Sequence, residues 1–353
     1  MARKKLTETD RKQMVADQFI KGLERLQEAV DAVSDPDADQ GSWNKPWASF
    51  GGGLPRSIGT GKVYSGTNTV SCMFAASKDG AFFSDPRWGT TNQWREHCGW
   101  QKNPDWKGRS DSFKGIPKWL WAGEGEEPKD FFVEGEARRT TLICVWKPFT
   151  VGKDDNDEKS GYRIIKLVKV FGVYNAEQIA CAPSLGIPEV DPSERYAECQ
   201  TKLDELGISF SHGGDRAYYM PSTDTIRTPK PGQFQSVEDY WSTMWHEVTH
   251  ATGHQDRLNR EFGKRFGDDA YAFEELVAEL GSVMVCAELG VEGRLQHHAY
   301  LASWLKRIKA DPRALFTAAS KAQAAAKFIL TGGAKAQPQS SEPANATPAA
   351  MAA

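Results

Sequence analysis

The stretch Trp245-His246-Glu247-Val248-Thr249-His250 decides how this chain is read. It fits H-E-x-x-H, in which two histidines four residues apart grip one zinc ion and the glutamate between them acts as a general base. On a helix, positions i and i+4 share a face about one turn apart, so both imidazoles can reach the same metal. Glu247 directly follows His246 and can take a proton from a water at the open coordination position. The flanking sequence predicts such a helix. Ser236 precedes Glu238 and Asp239, which gives an N-cap with acids in the first turn. Gly253 offers a stop soon after His250. The competing interpretation is two ordinary core histidines that merely satisfy hydrogen bonds.

A catalytic zinc site usually takes three protein ligands and leaves one position open. Glu275 is one candidate for the third. It lies in Glu274-Glu275-Leu276-Val277-Ala278-Glu279, on a helix expected from about Ala270 to Leu289, with Phe273, Leu276, Val277, Leu280 and Met284 forming its apolar stripe. Glu275 and Glu279 are four apart and share a face, so Glu279 could orient a histidine while Glu275 binds the ion. This layout resembles that of the thermolysin-like zincins (gluzincins). Asp256 is the rival, because the chain also fits H-E-x-x-H-x-x-G-x-x-D, a variant of the metzincin pattern, with Gly253 at its turn. His254 is a third option. A solvated helix face is the ordinary alternative for the three glutamates.

Outward from this core, Tyr240-Trp241, His254, Arg257-Leu258-Asn259-Arg260 and Tyr271-Ala272-Phe273-Glu274-Glu275 continue a recognisable series. An N-terminal series accompanies it: Trp43-Asn44-Lys45-Pro46-Trp47, Leu54-Pro55-Arg56-Ser57, Gly61-Lys62-Val63-Tyr64-Ser65-Gly66-Thr67-Asn68, Trp88, Trp94, and Phe171-Gly172-Val173-Tyr174-Asn175-Ala176-Glu177-Gln178. Together they resemble the ArdC/TraC antirestriction proteins of conjugative plasmids and phages, over about residues 10 to 290. The resemblance implies an ArdC-like single-stranded DNA-binding domain followed by a zincin-like metallopeptidase domain. It also favours Glu275 over Asp256, since the Glu-Glu-Leu-Val-Ala-Glu run recurs in the family. It implies DNA contacts at Trp43, Lys45, Trp47, Tyr64, Asn68 and Trp88, with Asn175 structural. One departure stands out. The family's short basic run after the second tryptophan is here a long mixed segment, Gln101 to Arg139, in which Lys129, Arg138 and Arg139 are possible replacements.

Composition adds limits. The chain has 353 residues, a net charge of −3 and a pI near 6.2, room for two domains but no global basic footprint. Between Gly41 and Ala180, 20 basic residues face 16 acidic ones, too even a balance to suggest DNA by charge. Aromatic content points further. Nine of the 12 tryptophans lie between Trp43 and Trp146, interleaved with Lys45, Arg56, Lys62, Arg87, Arg95 and Lys107. Single-strand binding uses such rings for stacking and such cations for phosphates. A Trp-rich core would use the same tryptophans. Six scattered cysteines without a C-x-x-C pair suggest reduced thiols in a cytoplasm. The basic start lacks an apolar h-region and no run approaches the ~20 residues of a membrane span. The expectation is a host-cell cytoplasmic protein, with no membrane partner.

The predicted class is α+β throughout. An ArdC-like domain would span residues 8–180, with an amphipathic helix from about Thr9 to Val33 carrying Met14, Val15, Phe19, Leu23, Leu26 and Val30 on one face. Two strand-like runs, Thr140 to Phe149 and Tyr162 to Tyr174, would flank an acidic hairpin tip at residues 154–158. Residues 181–193, with three prolines, read as a linker. The zincin-like domain would span 194–330. It opens on a helix from about Glu194 to Leu206, and a hairpin is expected between Ile208–Phe210 and Ala217–Met220. Residues 224–228 give a candidate strand. Two helices, Arg294 to Ala310 and Pro312 to Leu330, would either pack on this domain or form an appendage, with His297 and His298 at the surface. Residues 331–353 read as a disordered tail. The functional expectation is a zinc metallopeptidase joined to a single-stranded DNA-binding domain, acting in a phage or mobile element on an unknown protein, with a DNA-associated one as the candidate. A non-catalytic single-strand binder with structural zinc is the alternative, and a peptidase that cleaves a repressor is a third.

Overall fold

The computed structural model describes residues 7–32, 53–107, 112–113, 116–151, 163–185, 192–260, 269–291 and 301–333. The chain opens with α1 (Glu8–Ala32), where an i, i+4 spacing buries Val15, Phe19 and Leu23 to within 1% of full burial. Met14, expected on that face, is 37% exposed and lies beyond the edge of the stripe. Next come β1 (Arg56–Ser57), α2 (Thr67–Met73), β2 (Arg87–Gly89) and α3 (Thr91–His97). Helix α3 starts on a capping box, in which Thr90 and Gln93 satisfy each other's backbone N–H. Short strands β3 (Trp100–Lys102) and β6 (Trp119–Trp121) pair antiparallel, as do β4 (Ser112–Phe113) and β5 (Ile116–Pro117). The long antiparallel pair β7 (Thr141–Val151) and β8 (Arg163–Asn175) runs in register from Thr141↔Val173 to Val151↔Arg163. With β1 and β2 it forms a four-stranded sheet in the order β1-β2-β8-β7. The expected acidic tip lies outside the described residues.

The C-terminal half begins with α4 (Pro192–Glu205) and continues through β9 (Ser209–His212), β10 (Tyr218–Met220) and β11 (Thr225–Thr228). Here the expected hairpin is corrected. β9 and β10 do not pair with each other; β11 lies between them, parallel to β9 and antiparallel to β10. Gly213 and Gly214 both take positive φ, as the turn out of β9 requires. Ile226, fully buried at the centre of β11, makes that strand the natural middle of the sheet. β10 is left at an edge.

Among the described residues, four helices follow: α5 (Val237–Ala251), α6 (Asp269–Glu288), α7 (Leu301–Ala310) and α8 (Arg313–Leu330). Gly281 of α6 sits against α5, where an added Cβ would lie 2.6 Å from Thr249 Cγ2. Only glycine lets the two helices approach this closely, and that approach sets the spacing of the site below. On α8 the small side chains of Ala318, Ala319, Ala322 and Ala326 are buried against the same core. Helix α8 therefore packs onto the C-terminal half, while α7 meets α1 as well as α6 and α8. His297, His298 and residues 334–353 lie outside the described residues.

The core does not stop at the proline-rich segment. One apolar cluster includes Phe19 and Leu23 of α1, Val70 and Met73 of α2, Met244 and Trp245 of α5, and Leu280 of α6. Gly66 N donates to Gln323 Oε1 across the same junction. Burial of this kind contributes ~1.5–3 kcal/mol per large apolar side chain, so the junction couples the two halves energetically. Among the described residues no helix is long and apolar enough to cross a membrane. All six cysteines are free thiols.

Candidate metal centre

Helix α5 is built as its sequence suggests. Ser236 caps it, its Oγ accepting from Asp239 N at 3.1 Å, and Gly253 N closes the far end on His250 O at 2.7 Å. Asp239 through Thr249 is buried, so the helix carries its polar motif inside the protein. His246 is 1% exposed, Glu247 5%, and Glu274, Glu275 and Glu279 3% each. Such burial rules out a solvated face for the three glutamates. A carboxylate taken out of water needs compensating charge.

His246, His250 and Glu275 offer ligand atoms that all lie within 4.8 Å of one another. His246 Nε2 is 3.1 Å from His250 Nε2 and 3.5 Å from Glu275 Oε2. His250 Nε2 is 3.5 Å from Glu275 Oε1. A tetrahedral ion with bonds of about 2.0–2.1 Å needs ligand atoms roughly 3.3 Å apart. The His246–His250 separation and the contacts each histidine makes with one of the two Glu275 oxygens bracket that value. The donor set of two imidazoles and one carboxylate, with a side left open to the cavity, suits a divalent metal.

Each histidine's other nitrogen faces a further carboxylate. His246 Nδ1 is 3.7 Å from Glu279 Oε1, and His250 Nδ1 is 3.4 Å from Glu274 Oε1. Glu274 is in turn held by Arg260, whose Nε lies 3.1 and 3.2 Å from its two oxygens and whose second terminal nitrogen lies 2.6 Å from Oε1. Helix α6 thus presents a carboxylate at the triangle with one on either side of it. Burial alone would depress the His250 pKa. Glu274 and Glu275, with the charge of Glu247, outweigh it and push the value up to about 10. Burial would raise Glu275, but His246 and His250 hold it far below the usual carboxylate range. Glu274 is likewise lowered against its burial, by His250 and Arg260. The site demands a positive charge at its centre, which a metal ion supplies better than a proton.

Glu247, His246, His250, Glu274 and Glu275 line one cavity with Tyr271 of α6 and with Ala217, Tyr218, Tyr219 and Pro221 of the β10 region. The sequence reading missed Tyr218 and Tyr271. Spacing could have found Tyr271, one turn before Glu275 on the same face. Arg260 was noticed only as part of a motif. Asp256 is not brought in. Its side chain is 77% exposed and sits 3.5 Å from His254 Nδ1, away from the triangle.

The expected DNA contacts fare differently. Trp43, Lys45 and Trp47 lie outside the described residues. Trp88 is fully buried, packed edge-on against Phe83, and presents no face to a base. Asn68 bridges to β7, its amide donating to Cys144 O and accepting from Cys144 N, each at 2.7 Å. Tyr64 packs against the same small cluster as Trp88, where burial raises its hydroxyl well above the ordinary value. Asn175 is structural as expected; it is fully buried, caps a short 3-10 turn and donates to Asp85 O at 2.7 Å. Arg139 donates to Ser77 O at 3.0 Å, while Lys129 and Arg138 are exposed. A set of basic and aromatic side chains, of which composition points to Arg95 and the tryptophans but not to Lys102 and Lys118, surrounds β3 and β6. Lys118 lies 5.2 Å from the Trp106 ring and 5.8 Å from Trp119, Lys102 lies 5.9 Å from Trp106, and Arg95 lies 5.3 Å from Phe131.

Comparison with known proteins agrees with this geometry. Residues 12–174 match the family of the N-terminal domain of anti-restriction factor ArdC, and residues 197–321 match the zincin-like metallopeptidase family. The chain is 30% identical to the uncharacterized protein y4eC of Sinorhizobium fredii (strain NBRC 101917 / NGR234) over 334 residues, 92% of each chain. It is 33% identical over 317 residues to a DNA primase TraC of Escherichia coli, covering 87% of this chain but 26% of that one. Crystal structures of the antirestriction protein ArdC from plasmid R388 are similar at 28% identity. The metal-free form has a TM-score of 0.59 and covers 91% of this chain and 99% of that one. The Mn(II)-bound form has a TM-score of 0.58, with 92% and 99% covered. With a metal-ligand triangle on α5 and α6 and both family regions in order along its length, this chain belongs to the ArdC-type antirestriction protein family.

Proposed function

We propose that this protein is a zinc metallopeptidase joined to a single-stranded DNA-binding region, and that it protects the incoming DNA of a phage or mobile element against restriction. The observation that carries the peptidase reading is the placement of Glu247 in the same cavity as the His246, His250 and Glu275 triangle. Those three side chains would hold the ion, and Glu279 would orient His246. A bound zinc would supply Lewis-acid polarisation there. Glu247 would accept a proton from the attacking water as its oxygen bonds the peptide carbonyl carbon, and return a proton to the amine that leaves when the C–N bond breaks. β10, an edge strand on the cavity wall, is placed to align an extended peptide beside it. The mostly apolar surroundings of α5 exclude bulk water and strengthen these charges. A DNA-associated protein is the expected substrate, brought to the cavity by the DNA-binding half.

Single-strand binding is supported by the match of residues 12–174 and by the exposed Lys102 and half-buried Lys118 beside tryptophan rings. A gel-shift titration on single strands against duplex, across a salt series, tests it. Stacking-led binding would favour the single strand and keep part of its affinity at high salt.

The deep burial of the ligands favours one other reading, in which zinc is structural and the protein protects DNA by covering it. Glu247→Gln separates the two. Lost protection with metal and DNA binding intact supports catalysis, and retained protection supports the covering role.

A further inference from the structure

Residues 252–260, directly after the metal helix, form a loop closed on itself. Leu258 N donates to Thr252 O at 2.9 Å, Asn259 N to His254 O at 3.0 Å and Arg260 N to Gly253 O at 2.9 Å. Asn259 adopts a left-handed φ of 47°, a conformation asparagine tolerates better than most residues. Two arginines leave this loop for different walls of the cavity.

Arg260 goes to the α6 wall. Its side chain is 3% exposed and bonds four groups at once: both oxygens of Glu274, Thr252 Oγ1 at 2.7 Å and Thr249 O at 2.6 Å. A planar guanidinium can meet all of these together, and an ammonium cannot. Through Glu274 the arginine reaches His250 Nδ1. Arg257 goes to the strand wall. It donates to both oxygens of Asp224, in the turn between β10 and β11, and to Tyr219 Oη of β10 at 3.4 Å. Its Nε returns to Ala251 O at 2.7 Å, so the same side chain ties strand and helix together. Tyr219 donates to Asp224 Oδ1 at 2.8 Å and completes this group. Neither arginine lines the cavity.

We infer that residues 252–260 act as a two-armed brace for the cleft. Arg260, acting through Glu274, positions His250; Arg257, acting through Asp224 and Tyr219, positions the edge strand β10. Both are positioning residues. A buried ion pair adds little net stability over an apolar substitute, so orientation is the better account of a buried arginine bonded to four acceptor atoms. The His250 arm rests on the metal-centre reading above; the mechanical coupling of loop to walls does not.

The test uses the full chain with Arg260→Met, Arg260→Lys and Arg257→Met. Zinc affinity is measured by competition with a chromophoric chelator, and amide hydrogen exchange is measured on the metal-free proteins. Arg260→Met is expected to weaken zinc binding roughly 10–100-fold, the usual effect of losing an orienting neighbour. Arg260→Lys should recover only part of it. Arg257→Met should leave zinc affinity unchanged and speed exchange in residues 218–228, whereas Arg260→Met should speed it at the end of α5 and the start of α6. Equal loss of zinc affinity in both methionine variants, unchanged affinity in both, or exchange that changes alike everywhere would overturn the brace. If wild type takes up no zinc, the metal-centre reading fails, and the exchange pattern alone decides the brace. If Arg260→Met does not fold, the double variant with Glu274→Gln removes charge and countercharge together, and the same outcomes apply to it.

Discussion

Around His246, the carboxylates and imidazoles are buried and converge; of the residues expected to meet DNA that the structure describes, Trp88 is fully buried in the core and Tyr64 and Asn68 are half-buried. Both sets came from motifs in one chain, and the first is brought together while Trp88 turns inward. Metal binding imposes distances of a few ångströms, and a helix translates them into fixed spacings in sequence. Stacking on a base imposes no such spacing. A tryptophan that meets DNA and one that fills a core look alike until burial is known.

That contrast can be broken at several points. The largest effect is expected for Glu247→Gln, which should lower peptide hydrolysis by about 10²–10⁴-fold while zinc content stays at wild-type level. Turnover of a peptide substrate beside metal analysis checks it, and full activity in the variant would remove Glu247 from the reaction. Trp88→Ala should cost roughly 3–5 kcal/mol of stability, as for other large buried aromatics. Its thermal or denaturant midpoint should fall sharply. If it folds at wild-type stability and loses only DNA affinity, the ring is a contact after all and the interior assignment is wrong. Asn68→Ala should follow at about 1–3 kcal/mol, because it strands the Cys144 backbone groups that the amide now satisfies.

A pH series sharpens the same comparison. In the metal-free protein, His250 is held up to about 10 against an ordinary value of 6.5, so its stabilising share is complete below pH 6.5 and fades as pH climbs toward 10. Glu274 and Glu275 are held below 4.5, so their share is present above that value and is lost on acidification. Zinc must displace the His250 proton. Binding near pH 7 should therefore release about one proton, and affinity should rise with pH through that range. Calorimetry in buffers of different ionisation enthalpy reads this release. The Trp88 cluster, which holds no paired charge of this kind, should add no comparable dependence.

How much could be read in advance follows the same physics. Ser236, the H-E-x-x-H spacing and the Glu275/Glu279 pair placed α5, α6 and the ion triangle, because caps and helical periodicity are local. The β10-β11-β9 order was not legible. Residues 224–228 looked like an optional strand, and their insertion between two others depends on long-range burial of Ile226. The roles of Arg260 and Glu274 were equally hidden, since a buried ion pair across fourteen positions leaves no periodic trace. The proline-rich segment suggested two separable units, whereas Phe19 and Trp245 share one cluster. That shared core joins residues too far apart in sequence for pattern reading.

The measurement that tests the account most directly is metal content of wild type beside Glu275→Ala and Asp256→Ala, purified and loaded alike. The account predicts about one zinc per chain in wild type and in Asp256→Ala, and affinity in Glu275→Ala lowered by more than ~100-fold, beyond what an orienting neighbour costs. Zinc retained without Glu275, or lost without Asp256, would contradict it.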